Sequence, residues 1–432
     1  MYKLKQLFPQ SFKNTYHLFQ AILANFMYGF PSQKIKVIGV TGTDGKTTTC
    51  QMIAKILEEA GKKVALASTI NFRINGSEEK NLSHYTTESS FAVQKFIKKA
   101  ASAGCEYLVL ETSSHSLDQY RVWGVKYKTA VITNVTREHL DYHGTMEKYR
   151  EAKKKLFEMV AKNKGTIIVN ADMENPEEFM KYATAMLFVY SISNFQFPIS
   201  NKFPMSQFKI LKAEEIELGI NSSKFKIQNS KFILNIPGQF NVENALAAIC
   251  VGQAEKIDFE TMEKALQKIK GVPGRMEAVA NDRSLDILVD YAVTPYALEK
   301  LYAFLSSVKK EDSRVIAVFG SCGDRDKGKR PIMAQTISRF ADFMIITNEE
   351  PYHEDPQKII DEISAGIRNK KENEEFWKIA GRREAIRKAL KIAKAGDIIA
   401  ITGMGAQESM VVGDKKIPWN DKNVIEEELA KI

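Results

Sequence analysis

Residues that could bind a phosphate stand together near the start of the chain. Residues 42–48 read Gly-Thr-Asp-Gly-Lys-Thr-Thr, after an apolar strand-like run and before a helical pattern. The two glycines let the backbone approach phosphate oxygens, Lys46 supplies positive charge and the Thr47 hydroxyl can hold Mg²⁺. We predict a nucleotide-phosphate site here, with a purely structural glycine turn as the alternative. The predicted nucleotide contacts are Gly42, Thr43, Asp44, Gly45, Lys46, Thr47 and Thr48.

Polar side chains also follow two later strand-like runs. Glu111 ends the apolar run at residues 108–110, so we expect it to face the phosphate loop and to share the metal ion held by Thr47. The alternative is that Glu111 caps the next helix. His139 follows the run at residues 129–133. A histidine by itself is more often structural, but a neighbouring metal site makes His139 a candidate ligand.

The elements that must position these residues follow a regular order. Strand-like and helix-like segments alternate from residue 36, which predicts a parallel sheet with crossover helices and a ligand site at the carboxyl ends of its strands. Residues 191–236 contain short β-rich pieces and polar turns, which predict small antiparallel strands. A second alternating block begins near Leu285, after the Gly/Pro-rich residues 271–274.

The predicted fold class is therefore α/β. It comprises a central P-loop domain with a mostly parallel sheet and a C-terminal Rossmann-like α/β domain. We predict a short N-terminal helical segment at residues 1–35, the central ATP-binding domain at residues 36–272 and the C-terminal domain at residues 273–432.

Composition limits the function classes. The 432 residues are 44% apolar and 27% charged, as in an ordinary globular protein. The net charge of +9 suits anionic small molecules, and we expect no nucleic-acid partner because no basic patch is interleaved with aromatic residues. The four cysteines are widely spaced and form no C-x-x-C pair. Their spacing argues against a disulfide framework and favours a cytoplasmic location.

The apolar segment at residues 15–30 is too short and too polar to span a bilayer. Two interpretations stay open for it. It could be a helix packed on the next domain, or an interfacial helix that associates weakly with a membrane.

The motifs at residues 42–48, 111–122 and 139–144 resemble those of the Mur ligase family, and within it the MurE type, which adds an amino acid to a UDP-N-acetylmuramoyl dipeptide. Four further motifs agree, at residues 237–245, 274–277, 289–295 and 323–331. The resemblance covers residues 36–432. It implies an ATP-dependent, ADP-forming ligase of peptidoglycan precursor synthesis, in which a substrate carboxylate becomes an acyl phosphate that an amine then attacks.

The resemblance also implies roles for single residues. Glu111 would bind the Mg²⁺ held by Thr47, and His139 would bind a second Mg²⁺. Lys153 matches the lysine that family members carbamylate, although the run at residues 153–155 alone would suggest a solvated helix face. The implied catalytic residues are Lys46, His139 and Lys153. Further implied nucleotide contacts are Asn241, Asn244, Arg275 and Asp290. The implied contacts to the muramoyl peptide are Thr86, Thr87, Ser113 and Arg121.

Two features depart from the family pattern. Family members carry a uridine-nucleotide-binding domain of roughly one hundred residues before the phosphate loop, too large for the 41 residues that precede Gly42 here. We therefore expect that domain to be lacking, and a membrane-proximal or otherwise altered acceptor is a hypothesis.

The amino-acid pocket is the second departure. Family members that select diaminopimelate carry Asp-Asn-Pro-Arg, where this chain has Glu-Glu-Pro-Tyr at residues 349–352. Glu350 would suit a distal ammonium group, which favours lysine or ornithine over diaminopimelate. Arg325 and Arg330 are candidates for binding the α-carboxylate. Either Gln407 or Glu408 would replace the glutamate of the usual Gly-Lys-Gly-His-Glu segment.

Two alternatives to this function stay open. The chain could be another ligase of the same fold, such as a folylpolyglutamate synthase, or a non-catalytic nucleotide-binding scaffold for wall synthesis. The expected partners are small molecules, namely ATP, the amino acid and the acceptor, and we expect a monomer.

Overall fold

Two α/β units follow an N-terminal helix in the computed structural model, which describes residues 10–83, 85–182, 184–193 and 208–432. The strands of the central unit are β1 (Lys36–Thr41), β2 (Val64–Ala67), β3 (Asn71–Ile74), β4 (Ser77–Lys80), β5 (Tyr107–Glu111), β6 (Tyr127–Ile132), β7 (Thr166–Asn170), β8 (Met186–Ser191), β9 (Phe208–Lys212), β10 (Glu214–Leu218), β11 (Ser223–Ile227) and β12 (Ser230–Leu234). The first nine form one sheet in the order β4-β3-β2-β5-β1-β6-β7-β8-β9, and the last three form an antiparallel sheet.

The central sheet is mostly parallel. The pairs β2–β3 and β3–β4 are antiparallel, and the remaining neighbours run parallel. The helices of this part are α1 (Gln10–Tyr28), a 3₁₀ turn (Pro31–Lys34), α2 (Lys46–Glu59), α3 (Ser90–Ser102), α4 (Ser114–Asp118), α5 (Leu140–His143), α6 (Met146–Lys162), α7 (Glu177–Met180), α8 (Gln239–Ala254) and α9 (Phe259–Gln267).

Side-chain alternation along the strands creates a core on each face of this sheet. Ile38 of β1 packs in one core with α2, α8 and the antiparallel sheet, whereas Val37 packs in the other core with α3 and α6. Helix α8 is buried almost all round, from Asn241 to Gly252. The nine-stranded sheet covers α8 on one side and the small antiparallel sheet covers it on the other. This explains why α8 lacks a polar face.

The C-terminal unit repeats this layered arrangement. Its strands are β13 (Glu277–Val279), β14 (Asp286–Asp290), β15 (Val315–Phe319), β16 (Phe343–Thr347), β17 (Phe376–Ile379), β18 (Ile398–Thr402), β19 (Ser409–Val412) and β20 (Lys415–Pro418). Its helices are α10 (Pro295–Val308), α11 (Lys329–Ile337), α12 (Pro356–Ser364), α13 (Arg382–Ile392) and α14 (Asp421–Leu429). The six-stranded sheet has the order β13-β14-β18-β15-β16-β17, with β13 antiparallel, and β19–β20 form a hairpin. The predicted α/β fold class is confirmed, whereas the domain boundaries stay a prediction.

The expectation for residues 191–236 is only partly met. Strands β10 to β12 are short and antiparallel, as expected, but β9 pairs parallel with β8 and extends the large sheet. The local pattern gave no sign of this because β9 is half exposed at the sheet edge and lacks a buried apolar run. The part of the prediction that falls on residues 194–207 lies outside the described residues.

Helix α1 packs against α3 of the central unit. Ala21, Ala24 and Asn25 are fully buried, and Asn25 Nδ2 donates to the carbonyl of Trp123 at 2.8 Å. The opposite face carries an aromatic stripe, which we define as Tyr16, Phe19, Leu23, Phe26 and Met27, all between 49% and 69% exposed. None of the helices within the described ranges combines the length and apolar composition needed to cross a membrane.

Candidate active site

The phosphate loop joins the carboxyl end of β1 to the first turn of α2. Gly42 and Gly45 have φ angles of 147° and 80°, which glycine adopts without steric cost. A Cβ at Gly42 would lie 1.9 Å from Thr133 Oγ1, and one at Gly45 would lie 2.3 Å from Asn244 Oδ1. Both positions therefore need glycine, and the loop leads into a helix N-terminus, which favours an anionic ligand.

Two lysines donate to carbonyl groups of this loop. Lys46 Nζ lies 2.8 Å from the oxygen of Thr43, and Lys153 Nζ lies 2.7 Å from the oxygen of Gly42. The Lys153 side chain is buried in α6, over the ring of Tyr149. Burial, reinforced by the charge of Lys46, holds the pKa of Lys153 well below its usual value. Lys153 is therefore not part of a solvated helix face.

Glu111 lies at the centre of a group of oxygen atoms. Its carboxylate accepts from Thr47 Oγ1 at 3.0 Å, and from the backbone N–H and the hydroxyl of Thr69 at 2.8 and 2.9 Å. The alternative that Glu111 caps the next helix is wrong, because Ser113 Oγ caps α4 by accepting from the N–H of Ser116.

The chemistry of this group fits Mg²⁺, which prefers hydroxyl, carboxylate and phosphate oxygens. In the part of the chain that the structure describes, no group of three or more His, Cys, Asp and Glu side chains is arranged to hold a metal ion. That finding is compatible with a site that Thr47 and Glu111 form together with a bound phosphate, and it gives no support to an all-protein metal cage.

His139 lies in a cluster of aromatic rings beside the phosphate loop. Its backbone is left-handed, with φ 56°, and its ring is 4.7 Å from the ring of His115. Burial and the surrounding positive charges lower the pKa of His139 well below its usual value. The ring is thus held neutral, which is the state that binds a metal ion.

The predicted nucleotide contacts on α8 and in the C-terminal unit lie near the same loop. Asn244 accepts from Thr49 Oγ1 at 3.2 Å and donates to Asn241 Oδ1 at 3.2 Å. The Arg275 guanidinium stacks over the Tyr291 ring and donates to Thr47 Oγ1 at 3.3 Å. A hydrogen bond between the two units thus reaches the predicted metal ligand.

Asp290 has a different role in the geometry. Its carboxylate accepts from the backbone N–H groups of Met276 and Ala292, each at 2.7 Å. Burial raises the pKa of Asp290 despite the nearby charge of Arg275. Asp290 therefore fixes the segment that carries Arg275 and also borders the cavity.

A cavity of about 290 Å³ lies between the carboxyl edges of the two parallel sheets. The predicted residues that line it are Thr43, Asp44, Gly45, Lys46, Thr47, Thr48, Thr86, Glu111, His139, Asn241, Asn244, Arg275, Asp290, Arg325 and Glu350. Those that do not line it are Gly42, Thr87, Ser113, Arg121, Lys153, Arg330 and Glu408. The structure thus brings residues from both units to one cleft.

On the side of the cleft that the C-terminal unit forms, Arg325 stacks over the ring of Tyr352. Glu350 accepts from the N–H of Val411 at 3.1 Å and from the Tyr352 hydroxyl at 3.4 Å. Burial and the neighbouring carboxylate of Glu349 raise the pKa of Glu350 to about 7. Arginine and a poised carboxylate therefore border the same end of the cavity.

Two predicted contacts of this pocket point elsewhere. Arg330 is fully buried and pairs with Glu354 at 3.0 Å and Glu362 at 2.6 Å, so its guanidinium anchors α11. Glu408 pairs with Lys80 at 2.6 Å, at the surface. Gln407, the other candidate at this position, lines the cavity. Gln407 therefore takes the place of Glu408 as the candidate contact at this position. Arg325 remains the candidate for binding the α-carboxylate.

The predicted acceptor contacts form a hydrogen-bonded group next to Glu111. Thr87 Oγ1 donates to the carbonyl of Glu111 at 2.8 Å and accepts from the N–H of Ser113 at 3.0 Å. Arg121 donates to the carbonyl of Thr87. Thr86 lines the cavity and accepts from Thr69 Oγ1 at 3.2 Å. Hydrogen bonds of Thr87, Ser113 and Arg121 thus support the wall of the cavity next to Glu111, although these three residues do not line it.

Some cavity residues were not predicted as site residues. Thr69, Glu138, Thr294, Lys300 and Lys329 line the cavity. Lys300 forms an ion pair with Glu243 at 2.6 Å, and Lys329 pairs with Glu138. Lys329 lies within the motif at residues 323–331 and Glu138 immediately precedes that at residues 139–144, which could have drawn attention to both. Lys300 and Thr69 belong to no motif, so only the fold shows that they reach the cleft.

Comparison with known proteins finds family matches in both units. The model of the Mur ligase middle domain matches residues 40–252, and that of the Mur ligase glutamate ligase domain matches residues 274–405. A UDP-N-acetylmuramoyl-L-alanyl-D-glutamate–2,6-diaminopimelate ligase of Clostridium botulinum is 39% identical over 418 residues, which cover 95% of this chain and 81% of the relative. A UDP-N-acetylmuramyl-tripeptide synthetase of Roseiflexus sp. is 36% identical, with 95% and 82% covered.

Solved structures give the same picture of the fold. A 2,6-diaminopimelate ligase of this kind superposes with a TM-score of 0.59 at 30% identity, covering 92% of this chain and 78% of the other. A folylpolyglutamate synthase of Mycobacterium tuberculosis has a TM-score of 0.66 at 14% identity, covering 89% and 92%. At that identity the second likeness concerns the fold alone.

Proposed function

Since this chain belongs to the Mur ligase family, we propose that it adds an amino acid to a muramoyl-dipeptide-like acceptor in peptidoglycan precursor synthesis. It is an ATP-dependent ligase that forms an amide bond. The observation that carries the proposal is the single cleft that Lys46, Glu111, His139 and Arg325 line from two units. Such a cleft can hold ATP and the acceptor carboxylate next to the amine of the amino acid.

Nucleotide binding falls to the phosphate loop and its surroundings. Gly42 and Gly45 let the loop backbone approach the phosphates, and Lys46 neutralises part of their charge. We assign the base and ribose to the side formed by Asn241, Asn244, Arg275 and Asp290. Bound Mg²⁺ would supply charge compensation between ATP and the acceptor carboxylate.

The acceptor carboxylate is a poor electrophile until its charge is masked. Phosphoryl transfer from ATP gives an acyl phosphate and ADP, and attack by the amine of the amino acid then releases phosphate. Lys46 offsets the negative charge that would repel the two reactants. Thr47 and Glu111 would hold one Mg²⁺, and His139 a second, on the same side of the cleft.

We further propose that Lys153 is carbamylated. An unprotonated amine attacks CO₂, forms an N–C bond and loses a proton, which leaves an anionic carbamate. The buried position and lowered pKa of Lys153 favour the unprotonated amine. The contact of Lys153 with the carbonyl of Gly42 supports a role for such a carbamate beside the phosphate loop.

The amino acid would bind with its α-carboxylate at Arg325 and its distal group near Glu350. An ionised Glu350 attracts a distal ammonium and repels a distal carboxylate, so we propose lysine or ornithine in preference to diaminopimelate. The Clostridium botulinum relative is named for diaminopimelate, so this preference would distinguish the chain from that relative.

We place the reaction in the cytoplasm, where ATP is available, and propose a monomer that associates weakly with membranes. Helix α1 carries no acidic residue, and its aromatic stripe is exposed. An uncharged, aromatic helix face next to Lys13 suits the interface of an anionic lipid surface.

Release of ADP and phosphate is the direct test of the proposed activity. We expect turnover only when ATP, Mg²⁺, a muramoyl-dipeptide acceptor and an amino acid are all present. Product mass should increase by one amino-acid residue. ATP hydrolysis that does not depend on the acceptor, or turnover with a folate acceptor instead, would contradict the proposal.

A further inference from the structure

Two ion pairs of opposite polarity cross the seam between the two units. Arg137 of the central unit pairs with Asp326 at 3.3 Å, and the next residue, Glu138, pairs with Lys329 at 2.9 and 3.1 Å. The central unit thus contributes a positive charge and then a negative one, from consecutive residues. The C-terminal unit contributes their opposite partners, Asp326 from a loop and Lys329 from the first turn of α11. This crossed pattern favours one register of the two units, since an exchange of partners would bring like charges together.

The second pair is buried and the first is not. The side chains of Lys329 and Glu138 are 5% and 10% exposed, whereas that of Arg137 is 46% exposed. The charged atoms of Lys329 and Glu138 face each other at 2.9 Å inside the cleft, so each charge compensates the other where little water reaches.

The pair of Glu138 and Lys329 also adjoins two proposed contacts, one to a metal ion and one to the amino acid. Glu138 immediately precedes His139, and Lys329 lies in the first turn of α11, four residues after Arg325. Glu138, Lys329, His139 and Arg325 all line the cavity. The ion pair thus connects the segment that carries the proposed metal ligand to the loop that carries the proposed amino-acid contact.

We propose that Glu138 and Lys329 are positioning residues that lock the two units in the arrangement needed for amide formation. The inference rests on the proposed ligase function. When the units separate, water solvates both charges. When they close, each charge compensates the other in the dry cleft. Pairing therefore offsets the cost of burying the two charges on closure. It also sets the distance between the phosphate loop and the proposed amino-acid contacts.

This physical picture predicts a specific pattern of mutant effects. A single neutral substitution leaves one charge unpaired in the closed cleft, which penalises closure. Neutralising both residues removes that penalty, although it also removes the contribution of the pair to the register of the two units. The double variant should therefore be no worse than either single variant, which is the signature of two residues acting together.

The experiment compares Lys329→Met, Glu138→Gln and the double variant with the wild type. We expect each single variant to lower kcat by at least about tenfold, while the affinity for ADP changes by less than about threefold. Small-angle scattering with bound nucleotide and amino acid should show a more open molecule than for the wild type. Lys80→Met is the matched control, since Lys80 also pairs across the two units but is exposed. It should change kcat less than about twofold.

The outcomes separate the alternatives. A Lys329→Met enzyme that keeps wild-type kcat and closure would overturn the inference. Loss of activity in Lys329→Met with a fully active Glu138→Gln would also overturn it, because Lys329 would then act on substrate directly. Stability to urea, measured for every variant, identifies a general folding defect. A wild type without acceptor-dependent turnover would instead contradict the proposed function.

Discussion

At the residue scale, the site combines side chains whose chemistry depends on burial. Lys153 and Glu350 illustrate this, because desolvation moves the pKa of the amine down and that of the carboxyl up. The family resemblance identified both residues as candidates, yet the sequence could not show that either was removed from water. Their protonation is therefore a property of the folded molecule, and it gives two predictions.

Lys153→Ala should lower kcat by at least about 100-fold, because it removes both the proposed carbamate and the donor to Gly42. Adding a short-chain carboxylic acid should restore part of the activity, since it can replace the carbamate. Wild-type enzyme depleted of CO₂ should lose activity and regain it with bicarbonate. Lys155→Ala, on the same helix, is the control. Full activity of Lys153→Ala would remove the assignment.

Glu350→Gln should raise the KM for lysine by about 10-fold or more, because a charge-assisted hydrogen bond is lost. In the wild type the KM for lysine should fall as the pH rises through about 7, since Glu350 loses its proton there and gains charge. The variant should lack this pH dependence. Measured KM values between pH 6 and 8, for lysine and diaminopimelate, check both points. A preference for diaminopimelate would contradict the charge argument.

At the element scale, the helices and loops at the strand ends decide which candidates face the cleft. Arg330 and Arg325 stand in one motif, but the start of α11 directs Arg330 into the interior, where Glu354 and Glu362 receive it. Similarly, the turn before β19 directs Gln407 inward and leaves Glu408 on Lys80. Motif membership alone could not separate these neighbours, since it carries no information on side-chain direction.

Arg330→Met should lower the free energy of unfolding by about 2–3 kcal/mol at pH 7, because two carboxylates lose a buried charged donor. Arg330 holds the pKa of Glu354 at about 2, below its usual value. A carboxyl with a lowered pKa stabilises the fold at neutral pH, and this contribution declines as the pH falls from about 4.5 toward 2. The difference between variant and wild type in urea denaturation should therefore shrink at pH 3. An equal difference at both pH values would contradict the assignment.

The aromatic stripe of α1 should mediate membrane association. Phe19→Ser with Phe26→Ser should abolish flotation with vesicles that contain anionic lipid, while thermal stability stays close to that of the wild type because both rings are exposed. Ligase activity on a water-soluble acceptor should be unchanged. A wild type that dimerises in light scattering and fails to float would show that a second copy of the chain covers the stripe.

At the scale of the whole molecule, the two units have separate cores and meet at the cleft. Buried residues divide into two clusters around each sheet. Several contacts between the units are polar, such as Thr294 to Asp44 at 3.3 Å and Lys300 to Glu243 at 2.6 Å, and the ring of Phe240 packs edge to face on that of Phe304. Polar seams open more readily than apolar ones, so closure should depend on ligands.

A nucleotide should therefore stabilise both units together. With Mg²⁺ and a non-hydrolysable ATP analogue at one hundred times its Kd, we expect about 2.7 kcal/mol of added stability. Calorimetry should show the transitions of the two units moving up and closer together, because the ligand contacts both. Stabilisation of the central unit alone would indicate that the nucleotide does not bridge the cleft.

The sequence by itself determined the α/β class, the phosphate loop and the order of the motifs. It could do so because loop glycines, strand runs and helix starts are local features, and the residues of the loop from Thr43 to Thr48 all line the cleft. The family resemblance added the residues of the second unit, of which Arg275, Asp290, Arg325 and Glu350 also border it.

Only the tertiary structure decided which neighbours face the cleft and which charges are buried. The choice of Gln407 over Glu408, the anchoring role of Arg330 and the ion pair between Glu138 and Lys329 all depend on residues far apart in the chain. Burial and side-chain direction arise when two sheets bring their carboxyl edges together, and no local pattern encodes that juxtaposition.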